Sequence, residues 1–473
     1  VTETGSATEA LSGPDPATPR KTTPELRLPD PGDIPEPAIP AAGNAPATPS
    51  GPPSGTGRAT LTEDGPATPS GDGPATLTGD GRLDTLDGVR AVAAFAVLVF
   101  HVATESGAAL APGFGGALLS RGDVAVPIFF ALSGLLLYRP FAASLLAGEA
   151  PVHVRSYLWK RALRILPAYW LAVAAALLLW SRDHLSDGWT WLKLLTLTQN
   201  YDTHPWWFGL GPKGLAQMWS LSVEAAFYVA LPLLAAGLAA FARRGGPDTD
   251  VRARRLLTGL AVLGAVSLVW TLLTYYPEYR PYLNSWAPRS AIFFAAGMAL
   301  AVVLAWDRAD PAGDSPASRF RRAASASPGS WWLVAALAYA LAASPVTGTR
   351  FLGIDGFWSG LFEIVLYTVV AACLLVPATL PPPGDSPVRL LLGNRVMAYL
   401  GRISYGVFLW QFVAIHLWYG FTGQPSFTGG FLANLVPIAA ITLALAALTH
   451  RFIERPAYRL AHLGRGEGRK PMR

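Results

Sequence analysis

From Leu83 onward, long apolar runs alternate with short connections rich in Arg, Gly or Pro, and each run approaches the ~20 residues that cross a bilayer as a helix. Ten such runs fall at about 89–110, 123–141, 162–181, 217–241, 256–276, 288–306, 331–345, 357–378, 398–418 and 431–449, the seventh being short. The pattern predicts an all-α integral membrane protein of about ten transmembrane helices. A further apolar stretch, WTWLKLLTLTQNY at 189–201, is too short to span and reads as interfacial or re-entrant. Before Leu83 the texture differs: Pro, Thr, Gly, Ala and Asp dominate, in related strings such as GPATPSGDG and GPATLTGDG, with no apolar periodicity. Such a segment buries too little apolar surface to offset its ordering entropy, so residues 1–82 are expected to form a disordered tail. It also lacks the basic start and apolar core of a secretory signal. The transmembrane domain is expected over 83–460, followed by a short basic tail at 461–473.

Composition agrees: 51% of residues are hydrophobic and only 14% charged, too apolar for an ordinary soluble domain. Sixteen Trp, fifteen Tyr and twenty-one Phe suit a protein with two lipid–water interfaces. The formal net charge of +6 does not mark a nucleic-acid binder, because the cations sit between apolar runs instead of clustering on a soluble module. Their distribution orients the spans. With a cytoplasmic N-terminus, inside loops collect Arg155, Lys160, Arg161 and Arg164, then Arg243, Arg244, Arg252, Arg254 and Arg255, then Arg308, Arg319, Arg321 and Arg322. Outside loops hold only scattered cases such as Arg121, Lys193 and Arg289, so both termini are expected on the cytoplasmic side of the cytoplasmic (inner or plasma) membrane. The single cysteine, Cys373, lies in an apolar run and excludes an internal disulfide.

Ionisable residues inside spans are costly, and they usually face a bundle interior or a cavity. In the first run, LDTLDGVRAVAAFAVLVFHVATE, Arg90 and His101 are eleven residues apart, nearly a whole number of helical turns. They therefore share a face, separated by roughly 16 Å along the axis. Arg90 falls near the cytoplasmic mouth and His101 deep in the span, with Glu105 one turn on and able to orient the imidazole. The structural alternative is a snorkelling Arg and a satisfied core His. The second run, DVAVPIFFALSGLLLYRPF, opens on Asp123, which is either simply solvated or catalytic, and its Pro127 and Ser133–Gly134 predict a bend and a close approach by a helix or narrow ligand. Arg161 and Arg164 in KRALR lie one turn apart, and their forked donors suit the phosphates of coenzyme A, although flanking charge of the positive-inside kind is the plainer reading. Glu224, inside the run WSLSVEAAFYVALPLL, shares a face with Tyr228 and should pair or titrate. Glu363, with Tyr367 one turn on, reads as a structural hydrogen bond. No metal-ligand spacing, phosphate-cradling glycine loop or nucleophile elbow occurs, so no metal is expected.

Taken in order, LDGVRAVAAFAVLVFH, FFALSG, KRALR, WSLSVEAAFY, LGRISYGVFLW and HRFIERP resemble the acyltransferase-3 family of ten-span membrane O-acyltransferases, across nearly all of the chain after Leu83. That resemblance implies that Arg90 and His101 are an essential pair, that Arg161 and Arg164 form an Arg-x-x-Arg element near the donor site, and that Glu224 is the acidic position of its motif. Two positions depart from the family pattern: Ala225–Ala226 stand where an acidic–amide pair often follows, and Gln411 stands where many relatives carry His. Gln accepts and donates hydrogen bonds but cannot shuttle a proton at neutral pH, so no acid–base role is expected of it. The chain resembles members without a fused extracytoplasmic hydrolase-like domain.

The resemblance implies transfer of an acyl group, acetyl first, from acyl-CoA to a hydroxyl of a carbohydrate, cell-envelope glycan or glycosylated metabolite. Acyl-CoA is then a substrate, no bound cofactor is expected, membrane lipid is a further partner and nucleic acid is not one. Arg90, Arg161 and Arg164 would hold the donor's head, His101 would act as general base or as a transient nucleophile, and Glu224 or Glu105 would orient it or the acceptor. Asp123, Ser133 and Tyr228 are supporting candidates. Intramembrane His, Glu and Arg also mark transport pathways, so a transporter or flippase for a glycan or glycolipid is the competing class, although two related halves with broken helices are not visible.

Overall fold

The structure is a computed structural model describing residues 80–349, 356–380 and 386–463. The expected disordered tail lies outside the described residues up to residue 79, and so does the basic tail from 464 onward. Among the described residues there are helices and turns but no strands. Each of the ten apolar runs is one helix: α1 (Asp80–Glu105), α2 (Ala125–Leu146), α3 (Val154–Trp180), α4 (Met218–Arg243), α5 (Thr249–Tyr275), α6 (Ala291–Arg308), α7 (Pro328–Ala342), α8 (Phe357–Thr379), α9 (Arg395–Thr422) and α10 (Phe431–Thr449). Eight of these segments are long and apolar enough to cross a membrane; α7 is shorter, and α9 is diluted by Gln411, His416 and its Trp and Tyr residues. The molecule is a multi-pass membrane protein, and its outward faces carry lipid-compatible pairs one turn apart, such as Val229 with Leu233 and Leu432 with Val436, all exposed.

Local chemistry sets the ends of these helices. Asp248 caps α5 by accepting from the amides of Asp250 and Val251, and Asn394 caps α9 by accepting from that of Met397. After α1 the chain turns at Gly107, whose φ of +77° suits glycine and whose missing side chain admits the Phe427 carbonyl. The helix consequently stops at Glu105, five residues before the apolar run gives out, and His101 lies one turn from its end instead of deep within it. Pro127 falls in the first turn of α2, where its missing N–H has no intrahelical partner to lose, so the predicted bend has no cause there. The stretch at 189–201 forms a helix of only eight residues, Gly188–Leu195, followed by a 3₁₀ turn, with Trp189 and Leu192 exposed. Nearby, the Lys193 ammonium donates to Asp202 at 2.5 Å and holds that carboxyl below the usual range.

Two apolar clusters form the interior. One face of α1 (Leu86, Val89, Ala93, Val97) joins the larger, with α2, α3, α4 and α6. Another face (Ala94, Leu98, Val102) joins the smaller, with α9 and α10. Helix α1 is therefore central, and the stripe Arg90–Val97–His101 is turned into the bundle. The closest packing joins α2 to α6: a Cβ on Gly134 would strike the Phe294 carbonyl, and one on Gly297 the Ala131 carbonyl. Of the two occupants expected beside FFALSG, a helix or a narrow ligand, it is a helix that approaches Gly134.

Candidate active site

Two cavities open along the α1 stripe. The first, of about 90 Å³, is lined by Arg90, Arg161, Arg164, Ser133, Glu224 and Tyr228 together with apolar side chains. Its cations come from two helices: Arg90 from α1, held by Asp87 at 2.8 Å, and Arg161 and Arg164 from α3. Arg164 lies over the Tyr458 ring, 5.7 Å from its centroid. That ring belongs to the helix Arg455–Leu463, reached from α10 through a π-helical turn, His450–Glu454, in which His450 pairs with buried Glu454 at 3.0 Å. The helix that continues from the closing HRFIERP string thus supplies, through Tyr458, part of the arginine cavity's surroundings. Arg161 Nε is buried and has no hydrogen-bond partner among the described residues. An unsatisfied donor of this kind is costly unless something absent from the protein completes it.

Opposite the arginines, Glu224 accepts hydrogen bonds from the Ser133 hydroxyl of α2 and from the Tyr228 hydroxyl, the latter at 2.5 Å. The acidic position of WSLSVE and the serine of FFALSG are therefore one unit, fixed to the arginine cavity. Helix α9 closes this side: Ser404, Tyr405 and Phe408 line the cavity, and the Tyr405 hydroxyl donates to the Ile165 carbonyl at 2.8 Å.

The second cavity, about 620 Å³, contains His101, Arg121, Asp123, Arg289 and Glu363, with Trp219, Tyr275 and Tyr279 in its walls. Phe130, lining the arginine cavity, meets Trp219 edge to face at 6.4 Å, so this aromatic pair stands between the two spaces. Asp123 accepts from the Tyr367 hydroxyl at 2.5 Å. Glu363 is held by Arg289 at 3.4 Å and lies 4.0 Å from Arg121, which donates to the Thr347 and Gly348 carbonyls. Asp123 is thus a bonded wall residue and not a solvated terminus. Glu363 pairs with arginines, while the Tyr367 expected beside it serves Asp123.

The histidine's partner differs from both expected carboxylates. His101 Nδ1 lies 3.0 Å from Gln411 Oε1 on α9. Glu105 bonds the Ser426 hydroxyl instead, and Glu224 belongs to the other cavity, so neither orients the imidazole. The structure brings together Arg90, Arg161, Arg164, Glu224, Ser133 and Tyr228 at one site and His101 and Asp123 at the other; Glu105 lines neither. Sequence reasoning denied Gln411 an acid–base role without finding its partner, and passed over Arg121 and Arg289 because they read as scattered loop charges. Their one sequence signal was position: Arg121 just precedes the run that opens on Asp123, and Arg289 stands at the start of its own run.

Comparison with known proteins now bears on this geometry. Three relatives illustrate the similarity: peptidoglycan O-acetyltransferase OatA of Listeria monocytogenes, 25% identical over 79% of this chain and 55% of its own length; putative peptidoglycan O-acetyltransferase YrhL of Bacillus subtilis, 25% over 78% and 54%; and a putative O-acetyltransferase of Staphylococcus aureus, 22% over 78% and 56%. The chain spans about half the length of these curated relatives. No solved structure matches it. The Acyltransferase domain model, however, matches residues 83–451, a stretch running from α1 into the π-helical turn and enclosing both cavities. With the ordered motifs resolved into one arginine site and one histidine site on a shared helix, and with most of the chain matched, the protein belongs to the acyltransferase-3 family.

Proposed function

We propose that this chain is an O-acyltransferase that moves an acyl group, acetyl first, from acyl-CoA to a hydroxyl of a cell-envelope glycan, another carbohydrate or a glycosylated metabolite. One observation carries the reading: a single helix face presents Arg90 to a cavity with three arginines and His101 to a larger polar cavity, at helical positions roughly 16 Å apart. That separation suits a donor whose phosphates stay with the arginines while its narrow pantetheine arm carries the thioester toward the histidine. The apolar side chains that line this cavity beside the arginines suit a narrow arm, with the charged head group at the mouth. The basic loops favour a cytoplasmic position for this mouth. The larger cavity, with Trp219, Tyr275 and Tyr279 beside charged groups, suits a sugar, whose apolar ring faces stack while its hydroxyls bond.

In the transfer, His101 takes the proton of the acceptor hydroxyl as its oxygen bonds to the thioester carbonyl carbon. The C–S bond then breaks, the thiolate receives that proton, and ester and free CoA are the products. If the imidazole instead attacks first, the same atoms balance through an acyl-histidine that the acceptor hydroxyl discharges. Relatives named as peptidoglycan O-acetyltransferases favour an envelope glycan as acceptor.

The test is thiol release from acetyl-CoA by protein purified in detergent, with donor binding measured alongside. His101→Gln keeps size and hydrogen bonding but not basicity. It should lose about a hundred- to ten-thousand-fold in turnover while donor binding persists. Turnover within a few-fold of the parent would remove His101 from the chemistry. Absence of acyl-CoA binding by the parent protein would remove the donor assignment.

A further inference from the structure

Gln411 is fully buried, at 0% exposure, and both ends of its amide are engaged. Its Nε2 donates to the Phe408 carbonyl at 3.1 Å, and its Oε1 faces His101 Nδ1 at 3.0 Å. A backbone carbonyl only accepts, so the amide nitrogen must be the end that faces Phe408; turning the amide over would set two carbonyl oxygens against each other. The oxygen is thereby committed to the histidine, and because an amide oxygen only accepts, Nδ1 must carry the proton. We infer that Gln411 is a positioning residue that locks His101 in the tautomer protonated at Nδ1, leaving Nε2 as the basic, nucleophilic nitrogen of the histidine cavity.

The surroundings give that lock a firm seat. His101 has no other hydrogen bond among the described residues, so nothing competes for the choice of tautomer. Phe412 packs on the ring with its centroid 4.4 Å away and restricts its rotation. Helix α9 is itself held at this level, since Gln217, at the start of α4, donates to the Leu409 carbonyl at 2.9 Å. A glutamine performs this function without titrating. A histidine could present either a donor or an acceptor to Nδ1, and a carboxylate would place a charge in an apolar seat.

The inference rests on the reading of His101 as the group that acts on the acceptor hydroxyl, and its test separates the two. Turnover and KM for acetyl-CoA would be compared in the parent, Gln411→Leu and Gln411→Glu. The ring-nitrogen signals of ¹⁵N-histidine-labelled protein, assigned through His101→Gln, would report the tautomer directly. The leucine fills a similar volume but accepts nothing, so turnover should fall about ten- to a hundredfold with donor KM unchanged, and His101 should show mixed tautomers. The glutamic acid retains an acceptor oxygen and should remain the more active of the two. A purely structural glutamine predicts the reverse order, because an apolar isostere is better tolerated in a buried seat than an acid. Leucine outperforming glutamic acid at equal folded yield, or unchanged His101 nitrogen signals in Gln411→Leu, would overturn the inference. An active His101→Gln enzyme would instead remove the catalytic reading, while the nitrogen signals of the parent still report where the proton sits.

Discussion

Arg161 carries a buried Nε that has no hydrogen-bond partner among the described residues. A hydrogen bond to a charged group is worth about 1.5–3 kcal/mol, so completing this one with a donor phosphate oxygen would contribute roughly ten- to a hundredfold in affinity. Arg161→Ala should therefore raise the KM for acetyl-CoA by about that factor and leave turnover at saturation nearly unchanged, because the contact is far from the reacting carbon. Initial rates over a donor series check this, and an unchanged KM would make Arg161 a flanking charge. At this scale the sequence was most legible where partners share a helix: the turn spacing joined Arg90 to His101 and Glu224 to Tyr228. Ser133 reaches Glu224, and Gln411 reaches His101, across 91 and 310 residues of chain, and no periodicity encodes such a contact. Gln411 was also judged by the proton it cannot carry, when its role depends on the proton it can accept.

Helices α2 and α6 show what the glycines in these motifs do. Gly134 and Gly297 each face a carbonyl of the other helix where a Cβ would collide, so the serine that reaches Glu224 sits beside a contact that fixes its height. Gly297→Ala should destabilise the protein by about 1–3 kcal/mol, since backbone cannot yield as a side chain can. Gly237 in α4 has nothing within 4 Å of its added Cβ. Gly237→Ala should be neutral or stabilising by up to about 1 kcal/mol through helix propensity. Thermal unfolding of both variants in one detergent compares them directly, and equal midpoints would refute the close contact. The apolar runs revealed which stretches are helical but not where each ends, because ends depend on caps and turns. The run was read as far as Leu110, yet Gly107 stops the helix at Glu105 and leaves the imidazole at a cavity.

At the scale of the whole molecule, the proposed function predicts that the arginine cavity opens on the side where the basic loops lie, and the histidine cavity on the other. The stretch from Arg308 to Arg322 packs Arg308, Arg319, Arg321 and Arg322 into a short span, whereas the much longer connection between α3 and α4 spreads out Arg182, Lys193 and Lys213, and that between α9 and α10 holds no Lys or Arg. Cysteine accessibility tests this, and burial decides where the cysteines go. Ser285 and Ser318 are natural choices from sequence but are 8% and 1% exposed, so silence there would report packing and not sidedness. Thr203, Thr428, Ala312 and Ala323 are exposed. In a background with Cys373 replaced, Thr203→Cys and Thr428→Cys should react with a membrane-impermeant thiol reagent on intact cells. Ala312→Cys and Ala323→Cys should react only after permeabilisation. Reaction of the Ala323→Cys protein in intact cells would invert the bundle. Donor and acceptor would then have to exchange sides, because the donor site is tied to the arginines of that face.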